Sequence, residues 1–387
     1  MGTAGALVSA LPIYENTPRI LALEKDKKLV ALAPIKKGSS GEEIIRAVWL
    51  TAESATDFSW LGKGDSVLIK PACNSGNHYP ATTSPLAISA MIRLLRDKGA
   101  GKIYVMDMGG VEYVKLTEKG LVKGSTRKLM EDNGIAQSTL QEGGILYLPE
   151  EEGWDAFYEE IPHVNKSWKK GILIPKILQK VDHIVLMPRT GRHVLTGSSL
   201  GLKAVVGYMR LDSRIEFHRD ASTFHAKIAE ANSLPILLEK QRLVLTLADK
   251  VLSTFGPDTG YVAVPDVGVV MASESVLAHD IVSLAWLLEC LRNTPNEQRN
   301  SVRKDPCQSS TAVNMTNRGV VMLLGGAVEA AKAENMPWRK VVSLWDDMVL
   351  HNAFEVFGFI PEVEFNVVGL IPRTLLEVLQ RSVTLPN

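Results

Sequence analysis

Cysteine is nearly absent from this 387-residue chain. Only Cys73, Cys290 and Cys307 occur, far apart and without a CxxC pair. That spacing excludes a zinc knuckle or an iron–sulfur cluster of the chain's own and permits at most one disulfide, so each thiol reads as free and structural. Net charge is missing as well. The 43 basic and 43 acidic side chains cancel, so no global field draws in nucleic acid or an anionic membrane, and any anion binding has to be local. No apolar run reaches the 18 residues that suggest a membrane span, and no repeat of solenoid period is present.

The first residues, 1–12 (MGTAGALVSALP), lack a basic region ahead of their weakly apolar stretch. Val8-Ser9-Ala10 fits the small-x-small cleavage pattern, as in the back half of an export signal whose charged front and twin arginines have been removed. On that reading the native protein is extracytoplasmic, in the periplasm. If the N-terminus is complete, it is cytoplasmic.

The chain is 45% apolar and 22% charged, the profile of a globular protein with a substantial core. Apolar runs at 29–33, 66–70, 102–107, 145–148, 183–187, 242–248 and 268–272 read as strands. Periodic segments at 41–56, 84–98, 125–133, 217–231, 274–291 and 318–333 read as helices, with Ser84 as N-cap and Pro85 at the first helical position of one of them. Strand–helix–strand order with short turns predicts an α/β fold, a mostly parallel sheet with helices on both faces. Residues 1–28 form an extension, 29–292 the α/β domain, 293–317 a polar loop or insert, and 318–387 a C-terminal helical or mixed extension packed on the main domain. Residues 150–170 read as an irregular excursion.

In such a sheet ligands bind beyond the carboxyl ends of the strands. Four of those ends are polar: Lys70 with Asn74, Asp107 with Gly109-Gly110, Arg189 to His193, and Asp249-Lys250. The densest chemistry follows Ile184-Val185-Leu186-Met187. There, residues 188–203 (PRTGRHVLTGSSLGLK) carry two guanidiniums, an imidazole, four hydroxyls, three glycines and one ammonium. This predicts a strand opening into a Gly-rich loop and a helix, with a small-molecule cleft at its edge. Arg189, Arg192, Thr196, Gly197, Lys70, Asn74, Thr82 and Thr83 are candidate ligand or anion contacts.

Asp107, His193 and Lys203 are candidate catalytic groups. Lys203 sits among Leu200, Leu202, Ala204, Val205 and Val206, a setting that desolvates an ammonium and lowers its pKa. It can contact a phosphate or act as a nucleophilic amine. His193 with His218 could bind a divalent metal; the alternative is hydrogen-bonded structural histidines. Asp280, on an apolar helix face, reads as a cap or half of a buried ion pair.

Several of these stretches, in order, resemble the domain of unknown function 362 family. They are KPACN at 70–74 with Ala81-Thr82-Thr83, then Gly99-Ala100-Gly101-Lys102 and Val105-Met106-Asp107. There follow MPRTGRHVLTGSSLGLKAVVG, FHRD, FHAKIAEANSL, GPDTG and MASESVLAHDIVS. The resemblance spans about 29–291. The ferredoxin-like cysteine segment of many members is missing, which removes an electron-transfer role. More distantly, the H-x3-G-x3-G-x-K spacing of His193, Gly197, Gly201 and Lys203, with His218 fifteen residues on, is similar to the lactate racemase family.

The racemase likeness implies a nickel-pincer or other nucleotide-like cofactor on Lys203, a nickel or other metal ligand at His218, and acid/base work at His193. That family's Asp-His-x-x-His segment has no counterpart after the Asp107 strand, where Met108-Gly109-Gly110-Val111-Glu112 stands. The sequence thus supports an enzyme with metal- or cofactor-assisted acid/base chemistry, racemase- or epimerase-like, on a hydroxy-acid or sugar-like substrate. A non-catalytic extracytoplasmic protein that captures an anionic ligand is the alternative. The aromatic C-terminal third (Trp338, Trp345, Phe354, Phe357, Phe359) is either core or a homo-oligomer interface.

Overall fold

Strands buried on both faces lose the in–out alternation of polarity, and the central strands here read that way. The computed structural model describes residues 22–23 and 27–384; the export-signal reading of 1–12 lies outside them. Eight strands form the main sheet: β1 Lys28–Lys36, β2 Val67–Pro71, β3 Ile103–Val105, β4 Ile145–Leu146, β5 His183–Met187, β6 Gln241–Ala248, β7 Val267–Ser273 and β8 Val363–Val367. Their order across the sheet is β8-β1-β7-β6-β5-β2-β3-β4. All pairs are parallel except the two made by β7, so β7 alone runs against the rest.

Alternate side chains feed two cores. Val67 and Ile69 of β2 join Val185 and Met187 on one face, under α1 (Gly41–Ala55) and α2 (Pro85–Asp97). Leu68 and Ile184 point to the other face, toward the helix Val276–Arg292 and the C-terminal elements. Both helices of the first layer start as the sequence predicts. Ser40 and Glu43 form a capping box, and Ser84 Oγ accepts the Ala87 N–H.

From β2 the chain moves outward to β3 and β4, then returns to lay β5 beside β2 before continuing to β6. The progression reverses between β2 and β5. A topological switch point of this kind opens a crevice at the strand carboxyl ends, and Lys70 sits there in register with Leu186.

The structure departs from the sequence reading in several places. Residues 188–203 do not pass from loop straight into a helix. Gly191–His193 pairs antiparallel with Gly197–Ser199 in a separate four-stranded sheet. Three residues close that hairpin, and Gly197 at φ +81° supplies the left-handed position it needs. A 3₁₀ helix, Leu202–Tyr208, then carries Lys203. The helix expected over 217–231 is broken at Asp220 into α3, Leu211–Arg219, and α4, Phe224–Ala231. The excursion at 150–170 contains Phe157–Glu160, paired antiparallel with Ile172–Pro175.

The polar stretch 293–317 already contains the start of a helix, Ser310–Lys332, kinked at Gly326. The C-terminal part supplies β8 to the sheet edge, and Phe354 is buried while Trp338, Trp345, Phe357 and Phe359 pack partly buried against the same core. Among the described residues no helix is long and apolar enough to cross a membrane. All three cysteines are free and buried.

Candidate functional site

By the alternation of β2, Lys70 lies on the Leu68 face, where its ammonium is buried. It pairs with Asp107 at 2.8 Å, donates to the Pro71 carbonyl at 2.8 Å, and lies 5.2 Å from the centre of the Tyr208 ring. Asp107 is fully engaged as well. Its Oδ2 accepts the Cys73 N–H at 2.6 Å and its Oδ1 the Met108 N–H at 2.7 Å. The two residues expected to act separately, one as an anion contact and one as an acid or base, are thus locked together. They pin the loops that follow β2 and β3, since a buried charge needs both a counter-charge and hydrogen bonds. Gly207 passes so close that a Cβ there would lie 2.1 Å from Asp107 Oδ1.

The segment bearing Lys203 is anchored from behind. The Asp280 carboxylate accepts the N–H groups of Gly201 at 2.8 Å and Leu202 at 2.7 Å, the capping role read from its place on an apolar helix face. Lys203 itself is left open. Among the described residues no hydrogen bond or ion pair reaches its ammonium. Burial, then the positive charges of Arg189 and Arg214, bring its pKa down to about 7, against the opposing pull of Asp258 and Asp107.

Two histidines flank it. His193 Nδ1 accepts the Leu195 N–H at 3.1 Å, so its neutral ring carries the proton on Nε2. His218 Nδ1 lies 2.9 Å from Asn317 Oδ1. Burial, with Lys203 nearby, holds His193 well below the usual imidazole range. His218 falls to about 3, chiefly through burial. Both rings are therefore neutral at physiological pH.

A cavity of about 170 Å³ brings these groups together at the strand carboxyl ends. Lys70, Asn74, Asp107, His193, Lys203 and His218, all picked from the sequence, line it, alongside an apolar wall that includes Leu195, Leu200, Phe217 and Phe224. Further lining groups, among them Arg214, Asp258, Tyr113 and Glu112, were not picked. Arg214 wraps the loop after β3, donating to the carbonyls of Met209, Gly109 and Met108. Asp258 takes hydrogen bonds from Asn74 Nδ2 and, at 3.2 Å, from the Tyr113 hydroxyl. Glu112 is held above the ordinary carboxyl range by burial and by Asp258. GPDTG pointed toward Asp258, whereas nothing in the sequence marked Arg214.

The remaining candidates do other work. Thr83 donates to the Met187 carbonyl and accepts the Ala72 N–H, stitching β5 to the loop after β2. Thr82 donates to the Asn77 carbonyl. Arg189 turns inward, with Nη1 on the Pro257 carbonyl at 2.7 Å, and acts on the cavity through its charge. Arg192, Thr196 and Gly197 line a separate small cavity with His225 and Trp338, and Arg192 reaches Asp305 at 3.5 Å. Among the described residues no group of three or more histidine, cysteine or acidic side chains is placed to hold a metal. His193 and His218 would leave most of a metal's coordination shell to other donors.

A family model described as "Domain of unknown function (DUF362)" matches residues 67–285, more than half of the chain, and the chain belongs to that family. No curated protein matches. Two solved structures are similar. One is a structural-genomics protein from Thermotoga maritima, at 18% identity and TM-score 0.36, covering 56% of this chain and 52% of that one. The other is the lactate racemase apoprotein from Thermoanaerobacterium thermosaccharolyticum, at 16% identity and TM-score 0.35, covering 57% and 50%. The chain spans about half the length of these structures.

Proposed function

We propose that this member of the DUF362 family is an enzyme that acts by acid/base chemistry, racemase- or epimerase-like, on a small anionic molecule of the hydroxy-acid or sugar-acid type. One observation carries the reading: the Lys203 amine, unpartnered among the described residues and with a pKa of about 7, lines a cavity shared with two neutral imidazoles. A surface lysine would gain nothing from that placement. Here the ammonium form can receive a carboxylate, and the amine form is a nucleophile near neutral pH.

The histidines divide the remaining work. His193 offers an Nε2–H to a substrate oxygen. With a pKa of about 3, His218 is too weak a base to remove a proton from carbon. It suits accepting a hydrogen bond from a hydroxyl, which keeps its proton, or holding a cation. Lys70 and Asp107 act as a fixed floor beneath the apolar wall.

The motif likeness implies a group carried on Lys203 with a metal on His218. An unpartnered amine and a neutral imidazole fit those two roles, and such a group would supply an electron-accepting centre at the substrate. Lys203 would hold it, its amine then used in the attachment and free only in the unloaded protein, and His218 would orient it.

Calorimetric titration with a panel of small 2-hydroxy acids and sugar acids, paired with chiral chromatography of the reaction mixture, tests the reading. Protein from the native host is used, so that any mass added on Lys203 is also read. The expectation is binding that weakens at least about tenfold in Lys203→Met, the scale of a hydrogen bond to a charged group, and interconversion of stereoisomers. Binding with no turnover, left unchanged by His193→Gln, would instead make the chain an anion-capturing module.

A further inference from the structure

We propose that Asn317 is a positioning residue for the site, fixing His218 in its Nδ1–H tautomer so that Nε2 presents a lone pair to the cavity. Asn317 lies on the helix Ser310–Lys332, outside the residues 67–285 that define the family, and is fully buried. Two hydrogen bonds tie it to the same histidine. Its Nδ2 donates to the His218 backbone carbonyl at 2.9 Å, and its Oδ1 lies 2.9 Å from His218 Nδ1.

The first bond decides the second. A backbone carbonyl only accepts, so the amide nitrogen must face it, and reversing the amide would set two oxygens against each other. The amide oxygen is then the atom facing the ring. It also only accepts, so His218 Nδ1 must carry the hydrogen. Nε2 is left with the lone pair, and the ring, packed against Phe217 with centroids 4.7 Å apart and Phe224 at 5.3 Å, lines the cavity.

His193 is set the opposite way, because its Nδ1 already accepts the Leu195 N–H. The cavity thus offers one imidazole donor and one imidazole acceptor beside the Lys203 amine. The tautomer assignment is independent of the proposed function. Its consequence for the ligand rests on that reading: a ligand must bring a hydrogen-bond donor or a cation to His218 and an acceptor to His193. A hydroxyl next to a carboxylate or carbonyl meets that pattern.

Long-range ¹H–¹⁵N correlations on protein labelled with ¹⁵N-histidine, without any ligand, read the tautomer directly. Wild-type protein should show His218 protonated at Nδ1 and bare at Nε2. Asn317→Leu removes the acceptor, and a substantial fraction of the proton should move to Nε2. Asn317→Asp keeps the acceptor toward Nδ1 and, as the protonated acid expected in this buried place, donates its O–H to the His218 carbonyl in place of the amide; it should keep Nδ1–H, which covers the case in which the leucine variant does not fold. An Nε2–H signal for His218 in the wild type overturns the proposal. So does an Asn317→Leu protein that folds and keeps the wild-type pattern, or loss of Nδ1–H in Asn317→Asp. None of these outcomes depends on catalysis, so the assignment and the proposed function fail separately.

Discussion

Lys203 and Lys70 show how two lysines of one cavity are set to different tasks. Lys70 has its counter-charge, a carbonyl and an aromatic face, so its charge is spent on structure. Lys70→Met strands the Asp107 carboxylate in the interior and should cost about 3–5 kcal/mol. Adding Asp107→Asn should recover part of that loss, because an amide needs no counter-cation; urea denaturation of the single and double variants reads both effects.

Among the described residues Lys203 has no such partners, and its charge depends on pH. With its pKa lowered to about 7, the ammonium is present below that value and lost above it. Affinity for a small anion should therefore be full on the acid side of 7, fall as the pH climbs through it, and lose that profile in Lys203→Met. Calorimetry across the range checks this. The apolar neighbours of Lys203 made its low pKa legible in the sequence. The inward turn of Arg189 was not legible, because a strand-end arginine reaches solvent or a carbonyl equally well and only the fold decides.

At the scale of elements, the short 3₁₀ helix Leu202–Tyr208 depends on a single carboxylate behind it. Asp280→Ala would orphan the N–H groups of Gly201 and Leu202, at about 1–3 kcal/mol for each buried group left unsatisfied. The variant should lower the urea midpoint and also loosen Lys203, so that anion affinity falls without any change in a cavity-lining side chain. That cap was readable because a carboxylate on an apolar helix face demands a partner. Strand β5 was readable because the apolar run Ile184-Val185-Leu186-Met187 gives way at once to the cations of Arg189 and Arg192. The start of the helix Ser310–Lys332 was not. Asn314, Thr316 and Asn317 give it loop-like polarity, and that polarity serves contacts with Met336 and His218 that only the tertiary structure shows.

Across the whole molecule, several buried imidazoles make the fold sensitive to acid. His193, His218 and His225 are all held below the ordinary histidine range, with His218 at about 3 and His225 at about 4. The unfolded chain takes up these protons near pH 6.5 and the folded chain only far lower. The stability they contribute is therefore complete above about pH 6.5 and drains away as the pH falls toward 4. The three together set a limiting slope of about 4 kcal/mol per pH unit, from about 1.4 kcal/mol per proton. Denaturation midpoints measured from neutral to acid pH should show this fall, and His225→Leu should make it shallower. The doubly covered, mostly parallel sheet was legible from strand–helix alternation, and so was the edge that carries the site. The reversal between β2 and β5, which places the cleft on that edge, depends on strand order and could not be read from the chain.

On the proposed function, Lys203 is a free, desolvated amine in a site built for an anion. Reductive methylation with ¹³C-formaldehyde, followed by NMR titration of the Lys203 dimethylamine from about pH 5 to about pH 10, tests it most directly. The midpoint should lie near 7 and move upward when a small hydroxy acid is added, because a bound anion stabilises the ammonium. A midpoint in the ordinary lysine range, unmoved by any such anion, would contradict it.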